Sequence, residues 1–567
     1  MKISGKTHTH PTYFGIAVAT AVIVGSWYGL RSAYYGYTLA RPVPFWDQIA
    51  SVEEYFGYLD GHFDLGTLFR FHNEHRIATS RLIFLADAIF FDATNRLSIF
   101  IVYAGILMVG SLIIAMAPSV RSIASIGLGI LASLGIIWST SQWENLSWGF
   151  QVQIPLVHLF ALLALQCLML SFVRLTSKTR WLMLAIIADA LGIFSFASGA
   201  LVGLAALALG VWLRAWTVQL LVFLTVHAAL VFAYFIGWPN HEPMPVLHLT
   251  EYAMFFLRCV GALLRPAPIL TAILGAAVTL ITTTVALAAT RQSLVKKTQT
   301  DGRVAVLIAM ACFVLLEMAA ITWGRAEPYP SIASRYATPS AILILCLMAS
   351  LWRLSYSWRV RSGVMLSCAA LSILANRPIN VREWADRIGK EDNAVLSFIN
   401  GVYGRDQVDV IYPADLVARD YKRLALLQKG PFSPSATIYR PPLNSVFLTS
   451  ASATTPPQCR GSIDGVDDRA GEWSHVWGWI AAPIEPIGSR WILAFSKDNQ
   501  LIGFTKPTIR RSDVVSALSL SQDRVGFDLF LSEQRVGPDR PKPINLVAVI
   551  DGKATRSCTF VFALRQK

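Results

Sequence analysis

Charge is what this chain has least of. Asp, Glu, Lys and Arg make up only 15% of its 567 residues, against 54% hydrophobic, and the mean hydropathy is +0.50. So few polar groups cannot cover a soluble fold of this size, so a water-soluble globular protein is excluded and an integral membrane protein is expected. Acid is scarcer than base, 35 residues against 49, and the formal net charge is +14. That excess does not point to nucleic acid, because most of the clustered Lys and Arg fall in loops on one side of the apolar layout. Cysteine is sparse as well. Cys167, Cys259, Cys312, Cys346 and Cys368 lie in or beside apolar segments, where a thiol behaves as a small hydrophobe. Cys459 and Cys558 bracket the C-terminal region, and in a compartment that permits disulfides they are expected to pair. No long-period repeat is present. The first apolar run lacks a small-residue cleavage site and reads as an anchor rather than a removable signal.

Apolar runs near the 20 residues needed to cross a hydrocarbon core recur up to Ala375. They fall at 13–30, 97–116, 122–139, 154–173, 181–197, 200–213, 216–237, 267–290, 304–322, 338–353 and 362–375, about eleven spans. Segment 248–264, with Glu251 and Arg258, reads as an interfacial helix on the external side. Basic residues from Lys2 and Lys6 through Arg174, Lys178 and Arg180 to Arg353, Arg359 and Arg361 share one side, which the positive-inside rule makes cytoplasmic. An odd number of spans then sends loop 31–96 and the C-terminus outside, to the periplasm in a Gram-negative inner membrane. The expected architecture is an α-helical polytopic membrane domain over 1–375, an α/β connector and linker over 376–457, and a β-sandwich over 458–567. Short alternating apolar stretches between Gly, Asp and Pro carry that last expectation.

Chemistry concentrates in the external loops. Asp47 follows two aromatics just beyond the first span, and His72, Glu74, His75 and Arg76 fall within five residues of one another. An amphipathic helix is expected over 67–91, presenting His72, His75 and Arg76 on one face with Glu74 turned away. The second external loop, 141–151, mixes Trp143, Glu144, Asn145 and Trp148. Its tryptophans suit either an interfacial belt or a sugar-binding wall. Another loop, 238–243, carries His241 and Glu242, and a later one places Arg325 and Arg335-Tyr336 beside the outer lipid boundary. Arginine's planar fork binds phosphate well and is costly near hydrocarbon without a partner, so both are candidates for a lipid-linked phosphate. Arg76 is a further phosphate candidate, while His72, Glu74, His75, Tyr336 and Trp143 are candidate substrate or metal contacts. Asp47 reads either as a proton-accepting carboxylate or as the N-cap of a helix beginning at Gln48.

An acidic residue after the first span, surface helices and many further spans resemble the GT-C superfamily of integral-membrane glycosyltransferases over roughly residues 10–375. Phe45-Trp46-Asp47-Gln48, His72-Asn73-Glu74-His75-Arg76 and Ser334-Arg335-Tyr336-Ala337-Thr338-Pro339 carry the likeness. Gly461-Ser462-Ile463-Asp464-Gly465, Trp477-Gly478-Trp479 and Arg511-Ser512-Asp513-Val514 are similar to β-rich modules of bacterial glycan enzymes. The resemblance implies a sugar donor carried on a polyprenyl phosphate, a cell-envelope glycan or lipid acceptor, inversion at the transferred carbon, and Asp47 as base. Glu144 is the alternative base. No second carboxylate adjoins Asp47, which leaves the need for a divalent metal open. A polyprenyl-linked glycan ligase and a non-catalytic transporter or glycan-binding scaffold are the competing classes.

Overall fold

The structure is a computed structural model describing residues 10–118, 122–174, 176–239, 247–327, 332–355, 357–413, 416–441, 460–469, 472–481, 490–498, 500–520, 523–536, 542–550 and 558–564. It is mostly helical with a C-terminal β-rich region. The helices are α1 (His10–Leu39), α2 (Ile49–Leu59), α3 (Leu65–Phe69), α4 (Ala78–Phe90), α5 (Arg96–Met116), α6 (Ile123–Ile137), α7 (Trp143–Ser147), α8 (Gln153–Val173), α9 (Lys178–Ile193) and α10 (Val202–Trp212). There follow α11 (Val218–Phe235), α12 (Leu249–Val260), α13 (Pro268–Leu294), α14 (Gly302–Arg325), α15 (Ala337–Leu354), α16 (Trp358–Ala375), α17 (Pro378–Ile399), α18 (Arg405–Ile411) and α19 (Leu416–Leu426). The chain divides into two compact units. The first is Met1–Ala40, Gly57–Ala86 and Arg96–Val381; the second is Arg41–Phe56, Asp87–Asn95 and Arg382–Lys567.

The first unit is a helical bundle. Among the described residues seven helices are long and apolar enough to cross a membrane, in α1, α5, α8, α11, α13, α14 and α15. The number reaches nine if Ile123–Ile137 with Thr140–Ser147, bent by 48°, and α16 with α17, bent by 40°, each form one span. The chain is therefore a multi-pass membrane protein. Sequence length alone predicts about eleven spans, and the difference lies in the middle. Runs 181–197 and 200–213 become the 16-residue α9 and the 11-residue α10, with the 3₁₀ turn Ala197–Leu201 between them. Segment 248–264 gives the short α12, opened by a capping box in which the His248 amide donates to Glu251 at 2.8 Å, and packed on α13 and α14. At the end of the bundle where α14 begins and α15 finishes, Asp301 caps α14 and takes two hydrogen bonds from Arg353, at 2.7 and 2.8 Å. Arg303 and Arg353 both donate to the Pro118 carbonyl at 3.1 Å.

The expected helix over 67–91 is interrupted. α3 ends at Phe69, and residues 70–77 form a turn in which the amides of His72 and His75 donate to each other's carbonyls at 2.7 and 2.9 Å. Asn73 sits at φ 51°, a left-handed conformation that Asn tolerates better than most residues. The Asp64–Thr67 capping box starts α3, and the chain resumes helix only at Ala78.

The second unit contains the Asp47 segment and everything from Arg382 onward. The α/β connector expected over 376–457 is helical among its described residues. The apolar run at 408–413 falls mostly in α18, where Val408 and Ile411 share the buried face and Arg405 reaches Asp409 at 3.7 Å one turn on. Of the linker expected over 433–457, residues 433–441 carry the 3₁₀ turn Thr437–Tyr439 and residues 442–457 lie outside the described residues. The β-region holds β1 (Arg460–Arg469), β2 (Trp473–Ala481), β3 (Arg490–Phe495), β4 (Leu501–Thr505), β5 (Ile509–Arg510), β6 (Arg524–Ser532), β7 (Lys542–Ile550) and β8 (Cys558–Leu564). They form two four-stranded antiparallel sheets, ordered β1-β2-β6-β5 and β4-β3-β7-β8. Val476, Phe527, Leu529 and Leu531 of the first sheet share one core with Ile492, Ile502, Ile544 and Leu546 of the second, so the region is the expected sandwich. Asn400 at the end of α17 donates to the carbonyls of Phe504 and Phe530 at 2.9 and 3.0 Å, tying connector to sandwich. Pairing of Cys459 with Cys558 lies outside the described residues.

Candidate functional site

The site candidates separate between the two units. Asp47 belongs to the second, in the 3₁₀ turn Trp46–Gln48 that runs into α2. Phe45 is the residue that precedes this 3₁₀ turn, and α2 itself begins at Ile49. Around it, Trp46 meets Tyr412 edge-on at 6.2 Å, Arg387 lies over the Phe45 ring at 4.2 Å, and Tyr421 donates to the Pro44 carbonyl at 2.6 Å. Gln48 donates to Asn95, whose own amide donates to Val43 at 2.8 Å. Aromatic packing and buried amides thus fix the backbone that carries a half-buried Asp47.

In the first unit the other candidates gather where α14 ends and α15 begins. Arg325, in the last turn of α14, pairs with Glu74, and His75 Nε2 lies 3.7 Å from the same carboxylate. Glu144, from the short helix α7, accepts from the Ser334 hydroxyl at 2.8 Å and the Arg335 amide at 3.1 Å, with the Arg335 guanidinium 3.9 Å away. The Glu144 amide in turn donates to Ser334 at 2.9 Å. Tyr336, nearly buried, has both Arg335 and Arg325 within electrostatic reach. The Arg325 side chain is 55% exposed and that of Arg335 38%, so both reach the surface.

Residues that sequence reading did not single out build the scaffold under this cluster. Asn145 donates to the Arg335 carbonyl at 2.9 Å and to the Thr338 hydroxyl at 2.6 Å, and the Thr338 hydroxyl donates to the side-chain carbonyl of Gln142. Gln142 donates onward to the Ile137 carbonyl at 2.7 Å, and Asn376 receives the Thr140 amide at 2.9 Å. Side-chain amides here satisfy backbone groups that a broken helix leaves open inside an apolar bundle. The visible signal was the run of Gln, Asn, Ser and Thr close to hydrocarbon, with Ser334 and Thr338 one helical turn apart.

The remaining candidates serve mainly to hold the turn. Arg76 donates to the carbonyls of Tyr234, Phe69 and Ile236 and lies 4.0 Å over the Phe71 ring, so its guanidinium is clamped to the end of α11. His72 packs 5.1 Å from Phe150, which stacks on Trp148 at 5.4 Å, and His75 lies 4.4 Å from Phe196. Trp143 and Trp148 are 9% and 7% exposed, which leaves neither as an open wall for a sugar. His241 and Glu242 lie outside the described residues. Among the described residues no group of three or more His, Cys, Asp or Glu side chains is gathered as metal ligands would be.

No family model matches this chain, and neither a curated protein nor a solved structure does. The class that fold and site define is a multi-pass membrane protein with a C-terminal β-sandwich and a cluster of arginine–carboxylate pairs at one end of its bundle.

Proposed function

We propose that the protein is a GT-C-like membrane glycosyltransferase of a bacterial inner membrane. It moves a sugar from a polyprenyl-phosphate-linked donor to a cell-envelope glycan or lipid acceptor on the periplasmic side. The observation that carries the reading is the pair of part-exposed arginines, Arg325 and Arg335, on neighbouring helix ends, each steadied by a carboxylate from another element, Glu74 of the 70–77 turn and Glu144 of α7. Such a pair suits a lipid-borne phosphate, because guanidiniums bind it in two-point fashion and the carboxylates hold them in place beforehand.

In the reaction the acceptor hydroxyl loses its proton to a carboxylate as its oxygen bonds to the anomeric carbon. The bond from that carbon to the phosphate oxygen breaks, and the phosphate leaves with the electron pair, its charge met by Arg325 and Arg335. A single displacement of this kind inverts the carbon. Asp47 is the base in this scheme and Glu144 the alternative. The β-sandwich positions the acceptor.

The test is transfer of radiolabelled sugar from synthetic polyprenyl-phosphate donors to envelope extract by purified protein in lipid. Wild-type transfer is expected to fall about 10²–10⁴-fold in Asp47→Asn, and sharply in Arg335→Ala. Transfer unchanged in Asp47→Asn but lost in Glu144→Gln moves the base to Glu144. Transfer only from a lipid-linked oligosaccharide identifies a ligase, and none from any donor in folded protein overturns the reading.

A further inference from the structure

Inside the bundle lie two carboxylate–imidazole pairs that the transfer reaction does not use. His158 of α8 holds its Nδ1 2.7 Å from the Ile154 carbonyl and its Nε2 2.8 Å from Glu317 of α14, and the other Glu317 oxygen accepts from Ser198 at 2.8 Å. His227 stands midway along α11, and its Nδ1 faces Asp189 of α9 at 2.9 and 3.1 Å. His158, Glu317 and Asp189 are at most 1% exposed, and His227 is 7% exposed.

The two rings differ in what their outer nitrogens meet. Nδ1 of His158 faces only an acceptor and must keep its proton, so this pair shares one further proton between Nε2 and the carboxylate. Nε2 of His227 faces an acceptor and a donor together, the Ala200 carbonyl at 3.1 Å and the Gly203 amide at 3.2 Å. Protonated, it donates to Ala200; bare, it accepts from Gly203. Either state is hydrogen-bonded with the ring in one place. Glycine at 203 permits this, since a Cβ there would stand 2.5 Å from both Cδ2 and Nε2 of the ring. Ser198 and Ala200, which touch the two pairs, are two residues apart in the same turn, Ala197–Leu201.

We propose that Nε2 of His227 is a proton-binding site within the membrane, and that the Ala197–Leu201 turn couples its loading to the Glu317–His158 pair. Loading adds a proton from water to the bare Nε2. The ring becomes an imidazolium and its charge cancels that of Asp189; release reverses the step. The charged groups facing these side chains are their own partners: Asp189 from α9 for His227, and Glu317 from α14 for His158, with α10 contributing backbone and the turn contributing Ser198. An unbalanced charge is expensive in hydrocarbon, so the loaded pair is the resting form and unloading marks a distinct working state. The inference stands without the transfer reading.

The test is a pH titration of the ring nitrogens by NMR on ¹⁵N-histidine-labelled full-length protein in lipid nanodiscs, with His227→Gln assigning the signal. Nε2 of His227 is expected to pass from protonated to bare in a one-proton transition while circular dichroism stays constant. Asp189→Asn should move that transition toward acid by about one pH unit or more, since the anion that favours the imidazolium is gone. Glu317→Gln, which keeps a partner for Ser198, should move it as well. A His227 Nε2 that stays in one state across the folded range overturns the site, and should Asp189→Asn fail to fold, this wild-type titration alone decides it. A midpoint indifferent to Glu317→Gln overturns the coupling.

Discussion

The membrane unit and the second unit handle buried charge in different ways. In the membrane unit Glu317 is matched by His158 and Asp189 by His227, so each acid has one imidazole and each pair can cancel by itself. In the second unit Asp392 is shared. Arg41 reaches it at 2.7 and 2.9 Å, the Tyr439 hydroxyl donates to it at 2.8 Å, and Arg387 holds the adjacent Glu391 at 2.8 Å. Lys506 lies half-buried close by, donating to the Ile438 carbonyl and lying 4.4 Å over the Trp491 ring. Hydrocarbon allows a charge only where a neighbour neutralises it, which favours compact pairs. In the second unit the charges are distributed through a net whose members depend on one another.

The largest test of that contrast is to cut the net at its centre. Asp392→Ala leaves the guanidinium of Arg41 buried without its carboxylate, and the second unit is expected to lose about 3–5 kcal/mol, read by chemical denaturation of the full-length protein. Glu317→Gln keeps hydrogen-bonding atoms for both Ser198 and His158 and should cost the bundle much less. Equal losses would erase the distinction between pair and net.

Apolar packing offers the next comparison. Leu529, fully buried in the sandwich, is expected to cost about 2–5 kcal/mol when cut to Ala, from lost transfer energy and the cavity left behind. Leu221 of α11 is 67% exposed on a membrane span, and the same cut there should change bundle stability within about 0.5 kcal/mol. A large loss at Leu221 would mean that another protein surface covers that face.

How much of this was legible follows the same division. Membrane character, the β-rich C-terminal region and the placement of Glu74, His75, Arg325, Glu144 and Arg335 between apolar runs can be read from composition and spacing, because charge is costly in hydrocarbon. Partnership cannot. Nothing in sequence pairs Glu144 with Ser334, 190 residues away, or assigns Arg76 to three carbonyls. Helical spacing at His72, His75 and Arg76 gave way to a turn, since Asn73 accepts a left-handed backbone and the two histidines bridge across it. The connector expected to mix helix and strand is helical at Arg405–Ile411, where Val408 and Ile411 are buried on one side. The Asp47 segment looked like part of the membrane domain because it follows the first span. Its contacts with Tyr412, Tyr421 and Arg387 put it in the second unit, a choice only long-range packing could make.

Titration sharpens the contrast further. Burial lowers the Lys506 ammonium to about 8, against the help of Asp392 and with the opposition of Arg41. Between that value and the ordinary lysine range the unfolded chain binds a proton that the folded one does not, so stability rises with pH across about 8 to 10.4. Below pH 8 both forms are protonated and the burial cost is felt in full. Lys506→Met should therefore flatten the alkaline rise, measured as denaturation midpoints at several pH values. A rise that persists in the variant would place its source elsewhere.

A small effect is expected at the start of α14, outside the apolar span. Hydrogen bonds from Arg353 hold the Asp301 carboxyl below the usual aspartate range, helped by the backbone amides it caps at the start of α14. A depressed acid adds stability above its ordinary value, and that stability is lost as pH falls through the folded value. Asp301 is 44% exposed, so screening by solvent limits the pair to under about 1 kcal/mol. Arg353→Gln should reduce bundle stability by that little at neutral pH and soften its acid-side fall. Added salt should narrow the gap from wild type, whereas the buried Asp392 net should respond to salt far less. A loss at Arg353 as large as that at Asp392 would show that the carbonyl of Pro118, which Arg353 also holds, matters more to the bundle than the charge does.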